Sequence, residues 1–231
     1  MKSLFFNYEC NIAQTYIIRL QNNATSLRLA ERCANSCKTV NQSYEFWDAY
    51  DGSGETIIVP AHHNAIMNLI KITDHYCTQG EVATALSHIS LWAQCALIDK
   101  PILILEHDAI MEKTYSSHLV YNSIGYLGGS EQKFKNWPIY ATPPHASEGP
   151  NYHFICRAHA YSIDPAVAKN LLSYVIKYGI TAPLDIMMRA DIFSFHQMDL
   201  YAYDLSEHNN TTILNRPLEG RTTKRNDKLE W

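Results

Sequence analysis

The sequence predicts an α/β fold, with a central mixed, mostly parallel sheet flanked by helices. Short β-branched and aromatic runs alternate with stretches of helical periodicity, the pattern of strands joined by crossover helices. The run Ile102–Leu105 is apolar at every position and follows Pro101, as expected of a short strand covered on both faces. Directly after it come Glu106, His107 and Asp108, at the strand end where open α/β sheets place their ligands.

The elements follow in order. TYIIRL at 15–20 reads as the first strand, then a polar turn and a helix over 26–39 with Leu27, Ala30 and Ala34 on one side. SYEFWD at 43–48 is a β-prone second strand running into Ala49-Tyr50-Asp51-Gly52-Ser53-Gly54, a loop by composition. Strand, helix, strand and Gly-rich loop is the opening of a nucleotide-binding sheet, although the dinucleotide fingerprint G-x-G-x-x-G is absent from it. A short strand is expected at 57–59, and 64–72 is ambiguous. A helix from Gly80 to about Leu97 carries Val82, Ala85, Leu86, Ile89, Trp92, Ala93 and Ala96 at helical spacing. Glu81, Ala85, His88 and Trp92 share one stripe of it, so His88 is either a core-edge histidine bonded to its surroundings or part of a site.

Beyond Asp108, 113–119 reads as helical and 124–127 as a strand. Residues 128–152, rich in Gly, Pro, Ser and Asn with Trp137, Tyr140, His145 and Tyr152 among them, read as a long excursion, either a binding loop or a poorly ordered insertion. FICRAHAYSI at 154–163 alternates, with Arg157, His159 and Tyr161 on one face. Asp164-Pro165 starts a helix, which Gly179 is placed to end. Pro183-Leu184-Asp185 opens another, and 200–205 is a final strand. One domain is expected over 1–218, with a polar tail at 219–231.

A length of 231 residues with 46% hydrophobic and 18% charged residues describes a globular chain with a substantial core. A net charge of -4 gives no footprint for nucleic acid, and no apolar run is long enough to span a bilayer. The N-terminal apolar patch is too short for a secretory signal, so a cytoplasmic location is expected, with the six cysteines reduced and none in metal-ligand spacing.

Glu106 and Asp108 are two apart, so along the strand the two carboxylates are expected to share a face. Such a pair can hold a hard divalent cation, which would neutralise the phosphates of a nucleotide. An isolated E-x-D reads first as a strand that has ended in solvated charges, and it is the surroundings that turn the reading toward a site.

In order, TYIIRL with Arg28 and Arg32, A-Y-D-G at 49–52, GEVATALSHISLW at 80–92, ILILEHDA at 102–109, AHAYSIDPAVAKNLL at 158–172, PLD at 183–185 and TTI at 211–213 resemble glycosyltransferase family 25. That group contains bacterial lipopolysaccharide glycosyltransferases and collagen galactosyltransferase-like proteins. G-E-x5-S-H-x3-W and L-E-x-D-A, about ten residues apart, are specific together. The resemblance implies a GT-A fold and a hexose, galactose or glucose, moved from a UDP-sugar to a glycan or other hydroxyl acceptor, with a divalent metal, typically manganese. It implies metal ligands at Glu106 and Asp108, with His196 as a further candidate, and Asp185 as the general base of an inverting transfer. Arg28, Asp51 and Gly52 would address the nucleotide, and Glu81, His88 and Glu106 would line or brace the donor site. The usual middle Asp of the carboxylate motif is His107 here. The alternative is a degenerate GT-A domain that binds nucleotide or glycan without turnover.

Overall fold

A computed structural model of the chain describes residues 9–73, 77–130 and 158–204, with the backbone alone at 129, 130, 197 and 204. The expected excursion at 131–152, Arg157 and the polar tail lie outside the described residues. The strands are β1 (Cys10–Asn11), β2 (Gln14–Arg19), β3 (Glu45–Asp48), β4 (Ile102–Leu105), β5 (Ala109–Met111), β6 (Ser117–His118), β7 (Ser123–Ser130), β8 (Ala160–Ile163) and β9 (Ser194–Asp204). The helices are α1 (Ala24–Thr39), α2 (Gln79–Ile98), α3 (Pro165–Tyr178) and the short α4 (Leu184–Met187), with a 3₁₀ turn at Ala65–Leu69.

Seven strands form one sheet in the order β3-β2-β4-β8-β7-β9-β5, and β1 pairs with β6 outside it. Strands β3, β2 and β4 run parallel to one another, whereas β8 runs against both β4 and β7. Strand β9 is parallel to β7, and β5 antiparallel to β9. Within the seven-stranded sheet the described parallel and antiparallel pairings are therefore equal in number, and the sheet is mixed without the expected parallel majority. Its parallel part contains the strand, helix and strand read at the opening of the sequence.

Two core layers enclose the sheet. Helices α2 and α3 pack on one face with Ile102, Ile104, Ile124, Tyr161 and Ile163. Helix α1 covers the other with Leu103, Leu105, Ala160 and Leu127. That alternation along β4 explains its continuous apolar run: every one of its residues is buried. Helix α2 is buried on almost every side, because α3 lies against it as well as the sheet. On α1 the buried row is Leu29, Ala30, Cys33, Ala34 and Cys37, so both helical cysteines are core thiols, while Leu27 is 37% exposed.

Chain punctuation follows local chemistry. Asn23 caps α1 by accepting from the Ser26 amide at 2.9 Å, and Asp164 caps α3 by accepting from the Val167 amide at 2.8 Å. Gly179 ends α3 with φ 79°, where a side chain would be strained and would meet the Lys71 carbonyl. Residues 113–119 are not helical: Ser117 and His118 are extended against β1, and the Tyr115 amide donates to the Gln42 side chain at 2.9 Å. The Thr, Tyr and Ser residues of that stretch favour extended backbone over helix. Strand β9 begins six residues earlier than expected, because its pairing shifts between Tyr126 and Gly128 and its apolar spacing is broken.

Candidate functional site

The C-terminal ends of β3, β2 and β4 lie side by side, and the chain leaving each carries expected site residues. After β2 comes the start of α1, with Arg28 exposed near it. Asp51 and Gly52 follow β3, and Glu106, His107 and Asp108 follow β4. All are thus drawn to one edge of three adjacent parallel strands, the edge at which open α/β sheets place their ligands.

Helix α2 fixes the loop after β3. The Ser90 hydroxyl accepts from the Trp47 indole N–H at 2.9 Å, and the Ser87 hydroxyl accepts from the Tyr50 amide at 3.0 Å. Both serines donate back to carbonyls of their own helix. Gly52 then touches the start of α2: a Cβ there would overlap the Gln79 carbonyl and lie 2.9 Å from the Gly80 nitrogen. Asp51 is held by paired main-chain bonds to Ile58, and its Oδ1 accepts from the Ser53 amide at 2.9 Å.

Glu106 stands at the end of a buried polar chain. His88 Nε2 lies 3.1 Å from Glu106 Oε1, His88 Nδ1 2.8 Å from the Tyr161 hydroxyl, and that hydroxyl accepts from Trp92 Nε1 at 3.0 Å. An indole N–H can only donate, so the Tyr161 hydroxyl accepts from Trp92. His88 joins that hydroxyl through Nδ1 to the Glu106 carboxylate through Nε2. His88 and Tyr161 have no solvent exposure and Trp92 1%, whereas the Glu106 side chain retains 28%. Burial pushes the Glu106 carboxyl up, but the His88 hydrogen bond and the charges of His88, His107 and His159 outweigh it and hold the carboxyl below its usual value.

The turn after β4 corrects the expectation that Glu106 and Asp108 share a face. The strand ends at Leu105, and the Ala109 amide bonds the Glu106 carbonyl at 3.1 Å, closing a turn over the E-x-D. Side-chain alternation stops with the strand. Glu106 faces α2 through His88, whereas Asp108 has a buried Oδ1 and lies near enough to Cys33 of α1 for its charge to help raise that thiol, after burial and Cys37. His107 bonds Ser26 of α1 at 3.0 Å through Nδ1. Burial lowers the pKa of His107, Glu106 opposes that, and the charge of Arg32 adds to it.

Three further expected residues have other surroundings. His196 pairs with Gly125, which pairs with Ser162, which pairs with Leu103. It therefore lies three strand spacings, about 14 Å, from β4, level with its middle. Its ring is half-buried and bonded to Ser194 at 3.1 Å. The structure does not bring it to Glu106 and Asp108, because β8 and β7 intervene. Glu81 completes a capping box with Thr78, accepting from the Thr78 amide at 2.8 Å, so its carboxylate braces the start of α2. Asp185 lies in the first turn of α4, with Oδ1 accepting from the Ile186 amide at 3.0 Å. Pro183 is the cap residue of that helix, so Asp185 is not its N-cap. No group of three or more His, Cys, Asp or Glu side chains suited to a metal ion is present among the described residues.

Sequence reasoning noted His159 but did not count it as a site residue. Its carbonyl accepts from the Glu106 amide at 2.9 Å, its ring is 1% exposed, and neither ring nitrogen has a hydrogen-bond partner. The signal was the alternation that placed it on the face of Tyr161. A hollow lined by Asn122, Asn170, Tyr174, Lys177 and Phe193 opens at the opposite, N-terminal edge of β7 and β9 and contains none of the expected residues.

No helix among the described residues is long and apolar enough to cross a membrane. Curated proteins provide no match to the chain. The family model described as glycosyltransferase family 25 (LPS biosynthesis protein) matches residues 12–137, which include the three parallel strands, the capping-box helix and the E-x-D turn. That match spans more than half of the 231 residues, and the chain belongs to glycosyltransferase family 25 and is a glycosyltransferase.

Proposed function

We propose that this glycosyltransferase has a GT-A architecture and moves a hexose, galactose or glucose, from a UDP-sugar to a hydroxyl of a glycan acceptor, with inversion. The observation that carries this reading is the edge formed by β3, β2 and β4, where Arg28, Asp51, Gly52 and Glu106 emerge together. Arg28 and the Asp51–Gly52 loop address the nucleotide, and the tight contact of Gly52 with α2 keeps that loop in place.

A divalent metal such as manganese supplies neutralisation of the departing diphosphate when bound. A chelate made by Glu106 and Asp108 alone does not fit the turn, because the two carboxylates address different helices. A site fits better if it rests on Glu106 and is completed by phosphate oxygens and water, the usual manner of divalent ions at nucleotides. Asp185 accepts the proton of the acceptor hydroxyl as its oxygen bonds the anomeric carbon; the bond to the diphosphate breaks, and UDP leaves.

The test is calorimetric titration of UDP with and without manganese, followed by assay of UDP-galactose and UDP-glucose for transfer and hydrolysis. Manganese-dependent binding with turnover supports the reading, and no binding under either condition overturns the donor site. The divergence of the two carboxylates favours one second reading, a domain that binds nucleotide without turnover. Binding without consumption of either sugar nucleotide would select it.

A further inference from the structure

Helix α3 carries a second stripe besides the one it buries. Its core row is Val167, Ala168, Leu171, Leu172 and Val175. Asn170, Ser173, Tyr174, Lys177 and Tyr178 recur at i, i+3, i+4, i+7 and i+8, so they share another face. All five line the hollow at the N-terminal edge of β7 and β9, together with Asn122, Phe193 and Ser194. The hollow has a volume of about 330 Å³, inside the range of about 300–1,000 Å³ usual for small-molecule sites.

Its lining divides by chemistry. Tyr174 meets Phe193 edge-on at 5.5 Å and Tyr178 at 4.8 Å, with the two tyrosine planes tilted by 49°. Tyr178 is 47% exposed and the adjoining Ile192 40%, so aromatic and apolar surface is turned outward here. Beside it stand paired amides. Asn170 Nδ2 donates to Asn122 Oδ1 at 2.8 Å, a bond that uses neither the Asn170 carbonyl nor the Asn122 amino group. Asn122 is fixed in the left-handed region at φ 54°, with its main-chain amide donating to Asp164.

These features select the class of ligand. The hollow runs along the C-terminal half of α3, the negative end of the helix dipole, and Lys177 is the one cation among its described lining residues, which disfavours a phosphate group. Asn122, Asn170, Ser173, Lys177 and Ser194 make the lining too polar for a lipid chain. A neutral pyranose suits both parts. Its C–H face stacks on an aromatic ring, and its hydroxyls accept from and donate to the amides.

We propose that this hollow is a saccharide-binding site for neutral sugar units, separate from the donor edge. Its rim at Ser123 and Ser194 lies just beyond the level of Ile102 at the start of β4, whereas Glu106 follows the end of that strand. The two places are about 13 Å apart along the strands and two strand spacings, about 10 Å, apart across them. A sugar in the hollow is therefore not the unit that reacts at Glu106, and the site serves as an anchor. The assignment stands whether or not the UDP-sugar reading above holds.

The experiment uses the full chain with isotope-labelled tyrosine rings, titrated with millimolar lactose, maltotriose, chitotriose and mannotriose and read by nuclear magnetic resonance. At least one of the four is expected to shift the rings of Tyr174 and Tyr178, whose signals Tyr174→Phe and Tyr178→Phe identify. Asn170→Ala and Tyr178→Ala should each weaken that saccharide about threefold to tenfold, as for loss of a hydrogen bond or a ring contact. Ser173→Trp, which fills the hollow from an exposed position of α3, should abolish binding, and Arg28→Ala at the donor edge should leave it unchanged. If none of the four saccharides shifts either ring, the assignment is overturned. Binding undiminished in both Asn170→Ala and Ser173→Trp also overturns it, and so does UDP shifting the two rings in place of the saccharides. Failure of UDP to bind at all, with the saccharide shifts intact, overturns the donor edge alone.

Discussion

His88 and His118 are both buried imidazoles among hydroxyls, on opposite faces of the sheet, yet they end in different chemistry. His88 is hydrogen-bonded to Tyr161 through one nitrogen and to Glu106 through the other, and the Glu106 side chain keeps 28% exposure. His118 bonds Ser162 at 2.8 Å and Ser123 at 3.2 Å, and Ser162 in turn donates to Tyr115 at 3.1 Å. The second cluster contains no carboxylate. Burial therefore dominates at His118 and pushes its pKa down to about 4, with the charge of His196 adding to the effect and main-chain bonds opposing it. A buried histidine becomes part of a site when its second nitrogen leads to a charge at an edge, and otherwise it holds the core together.

The most severe way to break this contrast is Glu106→Gln, which keeps the shape and removes the charge at the end of the chain. Transfer should fall about 10²–10³-fold, as for loss of a single electrostatic contact to a reacting group, measured as kcat/KM with the sugar nucleotide that the protein uses. An unchanged rate would place Glu106 outside the site.

His118 should show itself in stability instead. Its folded pKa of about 4 lies below the ordinary value of 6.5, so the unfolded chain takes up the proton first as pH falls. The contribution is complete above about pH 6.5 and is lost progressively between there and about pH 4, up to about 3 kcal/mol. Urea unfolding of wild type and His118→Gln across that range measures it. The wild type should lose stability more steeply than the variant, while the two retain similar kcat at neutral pH.

His88→Phe keeps the ring and cuts the chain. Without the hydrogen bond and charge of His88, burial regains weight at Glu106 and its pKa rises. Activity should fall about 10–100-fold, and the acid limb of the pH–rate profile should move to higher pH. A purely structural histidine would lower stability without moving that limb. The smallest effect is expected at Glu81→Ala, where loss of half the capping box costs about 1 kcal/mol of stability and leaves kcat unchanged. A loss of activity there would return Glu81 to the donor site.

Much of the frame was legible because it rests on local signals. Four apolar residues at 102–105 read as a buried strand, and Asp164-Pro165 read as a helix start. The ordered strand, helix and strand at the beginning placed Arg28, Asp51 and Glu106 at one edge. What failed depended on distant contacts or on a few degrees of backbone. Glu106 and Asp108 share a face only if β4 continues, and a single turn hydrogen bond at Ala109 ends that condition. The bracing role of His88 was visible in its stripe, but its partner Tyr161 is 73 residues away and required the register of β8 on β4. His196 was chosen by its late position in the chain, which says nothing about the two strands that separate it from β4.

One turn of α2 fastens two parts of the molecule together. Ser87 and Ser90 grip Tyr50 and Trp47, while His88 between them grips Glu106. The loop after β3 and the carboxylate are therefore fastened to the same four residues and behave as one clamp with a fixed span. Movement that admits a sugar cannot separate these two jaws without breaking bonds at 87–90, so exchange of the Tyr50 amide, which donates to Ser87, should report opening of the clamp.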